Sequence, residues 1–315
     1  PSAPRPPPPG RTPPPATAIT VCTGATAGRF STIQPIERSG DEVIVFDPAY
    51  DSYEPAVTLA GGRTIHVPLA ISDDGFDFSI DWQRLADALN DRTRLVIINF
   101  PHNPTGAILS EADLRQLAEL LRDSQAYLLS DEVYEHIVFD GEPHVSALSI
   151  DELWQRSFIV SSFGKTYHAT GWKVGYCMAP AELTTEFRKV HQFTTFAVNT
   201  PVQHALADFM QGNPAFHERL PAFYEEKRDL FCRLLGESRF RLHPARSTFF
   251  QIVDYGGISD EEDVALAKRW TEEVGVASIP LSVFCEQPFT GTRLRFCFAK
   301  DDDTLAAACE KLSRL

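Results

Sequence analysis

Ser161–Tyr176 reads SSFGKTYHATGWKVGY, and the fold follows from what flanks it. An apolar, β-prone run leads into it (SFIVSSFGK, Ser157–Lys165), and a second leads out (VGYCMAP, Val174–Pro180). Lys165 and Lys173 therefore sit in a polar crossing between two strands. An amine that is partly desolvated and close to another cation loses proton affinity and becomes a nucleophile towards an aldehyde. Taken alone, the stretch fits equally well a surface loop with two solvated lysines.

Working upstream, AYLLSDEVYEHIVF (Ala126–Phe139) reads as a third buried strand carrying Ser130, Asp131, Glu132 and Tyr134. Carboxylates at a buried strand end are costly unless paired, and a cationic ring nitrogen is one partner for Asp131; helix capping is the other reading. RLVIINFPHNPTG (Arg94–Gly106) is a strand running into a turn at Asn103-Pro104-Thr105-Gly106, strong turn chemistry that points the Asn103 amide into a crevice or only closes the turn. GDEVIVFDPAY (Gly40–Tyr50) is another strand, with Tyr50 just past its end, placed either to stack on a planar ring or to pack under a loop. TGATAG (Thr23–Gly28) follows a short β-prone run at Ala18–Cys22. Small residues at a strand-to-helix transition let backbone N–H groups approach a phosphate. The helix after it reads as poor, because Gly28, Ser31, Thr32 and Pro35 all disfavour it.

Trp82–Leu89 has helical spacing, and Ser110 caps a helix to about Arg122 with Asp113 in the capping-box place. Apolar strands alternating with helices define an α/β fold, a mainly parallel sheet flanked by helices. Beyond Glu182 helices dominate (Pro201–Met210, Leu220–Leu235). TFFQIVD (Thr248–Asp254) and RLRFCF (Arg293–Phe298) then alternate like strands around a helix at Glu261–Val274, an α+β pattern. The expected division is a proline-rich disordered tail at 1–18, a large domain at 19–212 and a smaller C-terminal domain at 213–315, the break marked by QGNP (Gln211–Pro214).

The 315 residues carry a net charge of −14, from 29 basic and 43 acidic side chains, with no long basic run. That argues against a nucleic-acid partner. The six cysteines show neither C-x-x-C pairing nor metal-ligand spacing, so buried thiols in a reducing compartment are expected. Without an apolar run near ~20 residues or a signal-peptide core, the chain reads as cytoplasmic, with no membrane partner.

HNPTG, SDEVYEH, SSFGKTYHATGWKVGY and RLRFCFAK, in that order, together with GDEVIVFDPAYDSYEPA and HQFTTFAVNTPVQHALADFM, resemble the pyridoxal-phosphate-dependent fold-type I aminotransferases, within them the methionine and kynurenine group. The resemblance covers nearly all of Ile19–Leu315 and implies an aspartate-aminotransferase-like fold with pyridoxal 5'-phosphate as cofactor. It implies that Lys165 carries the cofactor as a Schiff base and moves the substrate proton. Asp131 then pairs with the ring nitrogen, Tyr134 and Asn103 hydrogen-bond the ring oxygen, and Tyr50 stacks on the ring. Gly24, Ala25, Ser162 and Lys173 take the phosphate, and Arg295, assisted by Asn103, clamps the substrate carboxylate. Phe249 and Phe196 suit an apolar substrate pocket, with Phe196 in a segment that reaches the neighbouring subunit of a homodimer.

The sequence departs from that pattern. Family members have an N-terminal segment with a glycine-bearing substrate loop and a phosphate-binding tyrosine, and the proline-rich tail stands there instead, so an N-terminally truncated large domain is expected. A glutamate and good helix formers usually occupy the positions of Ala27-Gly28-Arg29, and a glycine that of Ser247. The reading is therefore an aminotransferase moving an amino group from methionine, aromatic amino acids or kynurenine to a 2-oxo acid. The alternatives are a cysteine-conjugate C–S β-lyase with the same cofactor and a non-catalytic relative.

Overall fold

The computed structural model describes residues 15–36, 40–287, 289 and 291–315. Its strands are β1 (Ile19–Cys22), β2 (Glu42–Asp47), β3 (Arg63–Pro68), β4 (Ala70–Ile71), β5 (Phe78–Ser79), β6 (Thr93–Asn99), β7 (Tyr127–Asp131), β8 (Ser157–Ser162), β9 (Gly175–Met178), β10 (Phe250–Asp254), β11 (Ile279–Pro280) and β12 (Arg293–Cys297). Seven form one sheet in the order β1-β9-β8-β7-β6-β2-β3. Within it β3, β2, β6, β7 and β8 pair in parallel, and β9 runs antiparallel to both β8 and β1. β1 therefore points the same way as the parallel strands, and its end lies beside theirs.

The continuous apolar runs are explained by burial on both faces of this sheet. Alternation along β2 sends Val43 and Val45 into one cluster and Ile44 and Phe46 into the other. Likewise Leu95 and Ile97 of β6 face one side while Val96 and Ile98 face the opposite side. The helix Gly24–Ile36 covers the first face through Ala25 and Ile33, and the helix Glu111–Leu121 covers the second through Leu114, Leu117 and Leu121. That second helix starts at a full capping box: Ser110 Oγ accepts from the Asp113 N–H, and Asp113 accepts from the Ser110 N–H, as the sequence predicts.

The three-stranded antiparallel sheet β10-β12-β11 packs under the helices Leu220–Leu235, Asp263–Glu273 and Asp302–Leu312. Phe231, Trp270, Leu305 and Phe296 share one apolar cluster with Leu129 and Val160 of the large sheet, so the two sheets are cemented by a common core. Along β12, Leu294 and Phe296 are buried while Arg293, Arg295 and Cys297 turn to the other side.

Three expectations change. Pro15–Ala18, assigned to the tail, form a helical turn with Ala18 buried, and only residues 1–14 of the predicted disorder lie outside the described residues. The apolar run from Ala126 stops being a strand at Asp131, and Glu132–Phe139 continues as buried turns. The helix predicted to be poor spans Gly24–Ile36. Packing overrides propensity there: a side chain at Gly28 would meet Val160 Cγ1 at 3.3 Å, and Thr32 returns its hydroxyl to the Gly28 carbonyl at 3.0 Å.

Candidate active site

Parallel strands gather ligands beyond their C-terminal ends, and the chemistry-bearing residues lie there. Tyr50 follows β2, Asn103 follows β6, Asp131 ends β7 with Tyr134 three residues on, and Ser162 ends β8 with Lys165 in the helical turn behind it. Register fixes their heights: Asn99 pairs with Asp131, Asp131 with Val160, and Ser162 with Gly175. Gly24 and Ala25 begin the helix after β1, and Arg295 arrives from β12 of the second sheet. All ten predicted site residues, Gly24, Ala25, Tyr50, Asn103, Asp131, Tyr134, Ser162, Lys165, Lys173 and Arg295, line one cleft of about 460 Å³.

The floor is polar and buried. Asp131 Oδ2 accepts from the Tyr53 hydroxyl at 2.7 Å and from Arg29 Nη1 at 2.5 Å, while Asp131 Oδ1 is buried with no protein partner among the described residues. Asn99 braces the adjoining turns. Its amide nitrogen donates to the Asp131 carbonyl at 3.1 Å, and its oxygen accepts from the Asn103 N–H at 3.1 Å. Lys165 Nζ lies 5.4 Å from the ring centre of Tyr134 and 5.1 Å from that of Phe249. Burial pulls the Lys165 ammonium below the ordinary lysine range, and the positive charges of Arg29 and Lys173 pull the same way against Asp131. Burial also pushes the Tyr134 phenol well up, so it is a neutral hydrogen-bond donor.

At the other end the backbone forms a cradle. Gly24 and Lys173 both adopt left-handed conformations, at φ 73° and 54°. Ser162 Oγ accepts the Gly164 N–H at 3.1 Å, leaving its own proton for an external acceptor. A methyl group on Gly175 would stand 2.6 Å from the Ser161 carbonyl and 2.9 Å from the Ala25 nitrogen, so glycine is required for the start of the helix to sit this close. Gly175→Ala is expected to cost about 1–3 kcal/mol and to displace Gly24–Ala25. Lowered denaturant midpoint and lost protection by inorganic phosphate are the readouts.

Arg295 donates to Asn103 Oδ1 at 2.6 Å, and its guanidinium lies 4.0 Å from the Phe250 ring centre and 5.0 Å from that of Phe284. Burial lowers its proton affinity, yet its fork stays open to a planar anion. Ile279, Val283 and Phe284 give that wall an apolar lining. Phe196 is not part of the cleft. It stands 85% exposed at φ 61°, near Phe193 at 83%.

Sequence reading missed Arg29, Tyr53 and Asn99. A polar residue closing the apolar run Val96-Ile97-Ile98 was the signal for Asn99. For Arg29 it was a lone charge in a helix holding no acidic residue in its first turn, which forces a distant partner.

A helix-flanked parallel sheet with a half-buried lysine, a buried carboxylate and a half-buried arginine around one cleft defines a class of enzyme. The model for aminotransferases of class I and II matches residues 11–312. The methionine aminotransferase of Escherichia coli (strain K12) is 48% identical over 297 residues, 94% of this chain and 76% of its own. Kynurenine–oxoglutarate transaminase 1 of Rattus norvegicus is 34% identical over 95% of this chain and 78% of its own. The crystal structure of Escherichia coli YbdL, which identified a methionine aminotransferase function, superposes with a TM-score of 0.93 at 48% identity, covering 97% of this chain and 80% of that one. The chain belongs to the class I and II aminotransferase family, and its fold is the aspartate-aminotransferase-like one expected from the sequence. It is a transaminase, as its motifs implied.

Proposed function

We propose that this chain binds pyridoxal 5'-phosphate and transfers the amino group of methionine, and of aromatic amino acids or kynurenine, to a 2-oxo acid. The observation that carries this reading is the buried Oδ1 of Asp131, without a partner among the described residues, in a cleft that Lys165 also lines. A protonated ring nitrogen would satisfy that oxygen, and a phosphate would suit the glycine-walled cradle, so the residues present fit the group. When bound, it supplies an aldehyde and an electron-withdrawing ring that stabilises charge developing at the substrate Cα.

The protein's own part follows from position. Gly24 and Ala25 N–H groups, the Ser162 hydroxyl and the Lys173 ammonium hold the phosphate. Tyr50 would pack on the ring face, Asp131 would accept from the ring nitrogen through Oδ1, and Tyr134 and Asn103 would hydrogen-bond the ring oxygen. Lys165, whose proton affinity burial depresses, would supply the amine that holds the aldehyde and the base that takes the proton from the substrate Cα. Arg295, steadied by Asn103, grips the substrate carboxylate. The apolar wall of Ile279, Val283 and Phe284 suits a methionine or aromatic side chain and offers no charge to an acidic one.

Arg295→Ala removes a two-pronged charged contact, which is worth about 10²–10³ in kcat/KM. The loss is expected mostly in KM for methionine, measured against a fixed oxo acid. Pyruvate release from a cysteine conjugate without any acceptor would replace the transaminase reading with a β-lyase.

The exposed rings of Phe193 and Phe196, three residues apart, support a homodimer with this segment at the partner; a monomer by light scattering at micromolar concentration would refute it. Six unbridged cysteines suit the cytoplasm, and no helix among the described residues is long and apolar enough to cross a membrane.

A further inference from the structure

Arg29 is a buried cation that the proposed chemistry does not use. Arg29 is 5% exposed; its guanidinium donates from Nη1 to Asp131 Oδ2 at 2.5 Å and from Nη2 to Thr26 Oγ1 at 3.0 Å, and Nε has no partner among the described residues. It also lies 4.8 Å from the ring centre of Tyr50 and 5.8 Å from that of Tyr53. The helix that carries it opens with Gly24 and Ala25. One helix thus reaches both the phosphate cradle and the carboxylate on the cleft floor.

A carboxylate facing an unneutralised site stabilises a cation opposite its free oxygen. Asp131 is different, because a full positive charge already sits on Oδ2. Any proton on a ring nitrogen at Oδ1 feels the attraction of Asp131 and the repulsion of Arg29 together. The two nearly cancel as net charge, and what remains is the hydrogen bond.

We propose that Arg29 is a positioning residue that shares Asp131 with the ring nitrogen of the cofactor, fixing the carboxylate through Oδ2 and weakening its hold on the ring-nitrogen proton at Oδ1. The device leaves the ring less electron-withdrawing than an Asp131 without a second cation would make it. The inference rests on pyridoxal 5'-phosphate occupying the cleft as proposed above.

The test compares binding of pyridoxal 5'-phosphate with that of its analogue carrying carbon in place of the ring nitrogen, by titration of apoprotein. Wild type and Arg29→Gln are used, glutamine keeping a donor for Asp131 without the charge. Removing a neighbouring charge is worth about 1–3 pK units. Preference for the natural cofactor over the analogue should therefore rise at least about tenfold in Arg29→Gln, and equal preference in both proteins overturns the proposal. A second measurement needs no variant. With ring-¹⁵N cofactor bound to wild type, the nitrogen resonance should move to its unprotonated position as pH is raised, before the protein unfolds; a resonance that stays protonated throughout overturns the proposal. If neither cofactor nor analogue binds wild type, it is the proposed function that fails.

Discussion

Lys165→Ala is expected to lower transamination by at least about 10⁴-fold, since one side chain supplies both the nucleophile that captures the cofactor and the base that moves the substrate proton. The fold should survive. Burial places the proton affinity of Lys165 below the ordinary lysine range, so the charged amine is penalised in the folded chain. That penalty is fully present below the folded-state pKa and vanishes above the usual lysine value near ~10.4. At neutral pH its removal offsets the lost packing of the lysine stem, and the variant should melt close to wild type. Wild-type capture of the cofactor should quicken as pH rises and level off below pH ~10.4. A variant that is inactive because it is unfolded, or one that keeps activity, would each count against the assignment.

Asp131→Ala should do damage of two kinds. Arg29 would be left as a buried charge without its partner, which costs about 3–5 kcal/mol, and the ring nitrogen would lose its anchor, worth about 10²–10³ in kcat. The two are separable. In Asp131→Ala/Arg29→Leu no unpaired charge remains, so most of the stability should return while the rate does not. Denaturant midpoints for the four proteins of the cycle, with kcat for each, give the answer. Additive stability losses would mean that the 2.5 Å pair contributes little.

The strand ends were the legible part of this molecule. Continuous apolar runs, each closed by Asp131, Asn103 or Ser162-Phe163-Gly164-Lys165, encode both a buried parallel sheet and the polar rim it must present, and the ten residues named from the sequence line one cleft. Less legible was anything decided by packing across the chain. Gly28 and Thr32 read as helix breakers, because nothing local says that the helix lies flat on Val160. Arg29 and Asp131 are 102 residues apart, and no spacing rule connects them. Tyr53 looked like one more aromatic in DPAYDSYEPA, although its hydroxyl holds the same carboxylate. Arg295 came from β12, on a different sheet, and only the family pattern tied it to the cleft.

A single-turnover experiment tests the central claim most directly. Purified chain saturated with pyridoxal 5'-phosphate and freed of excess is mixed with methionine, with no oxo-acid acceptor. The account predicts loss of the lysine-bound absorption band, gain of the amine form of the cofactor, and one equivalent of the methionine oxo acid per cleft. An unchanged spectrum, no oxo acid, or the same response from Lys165→Ala would contradict it.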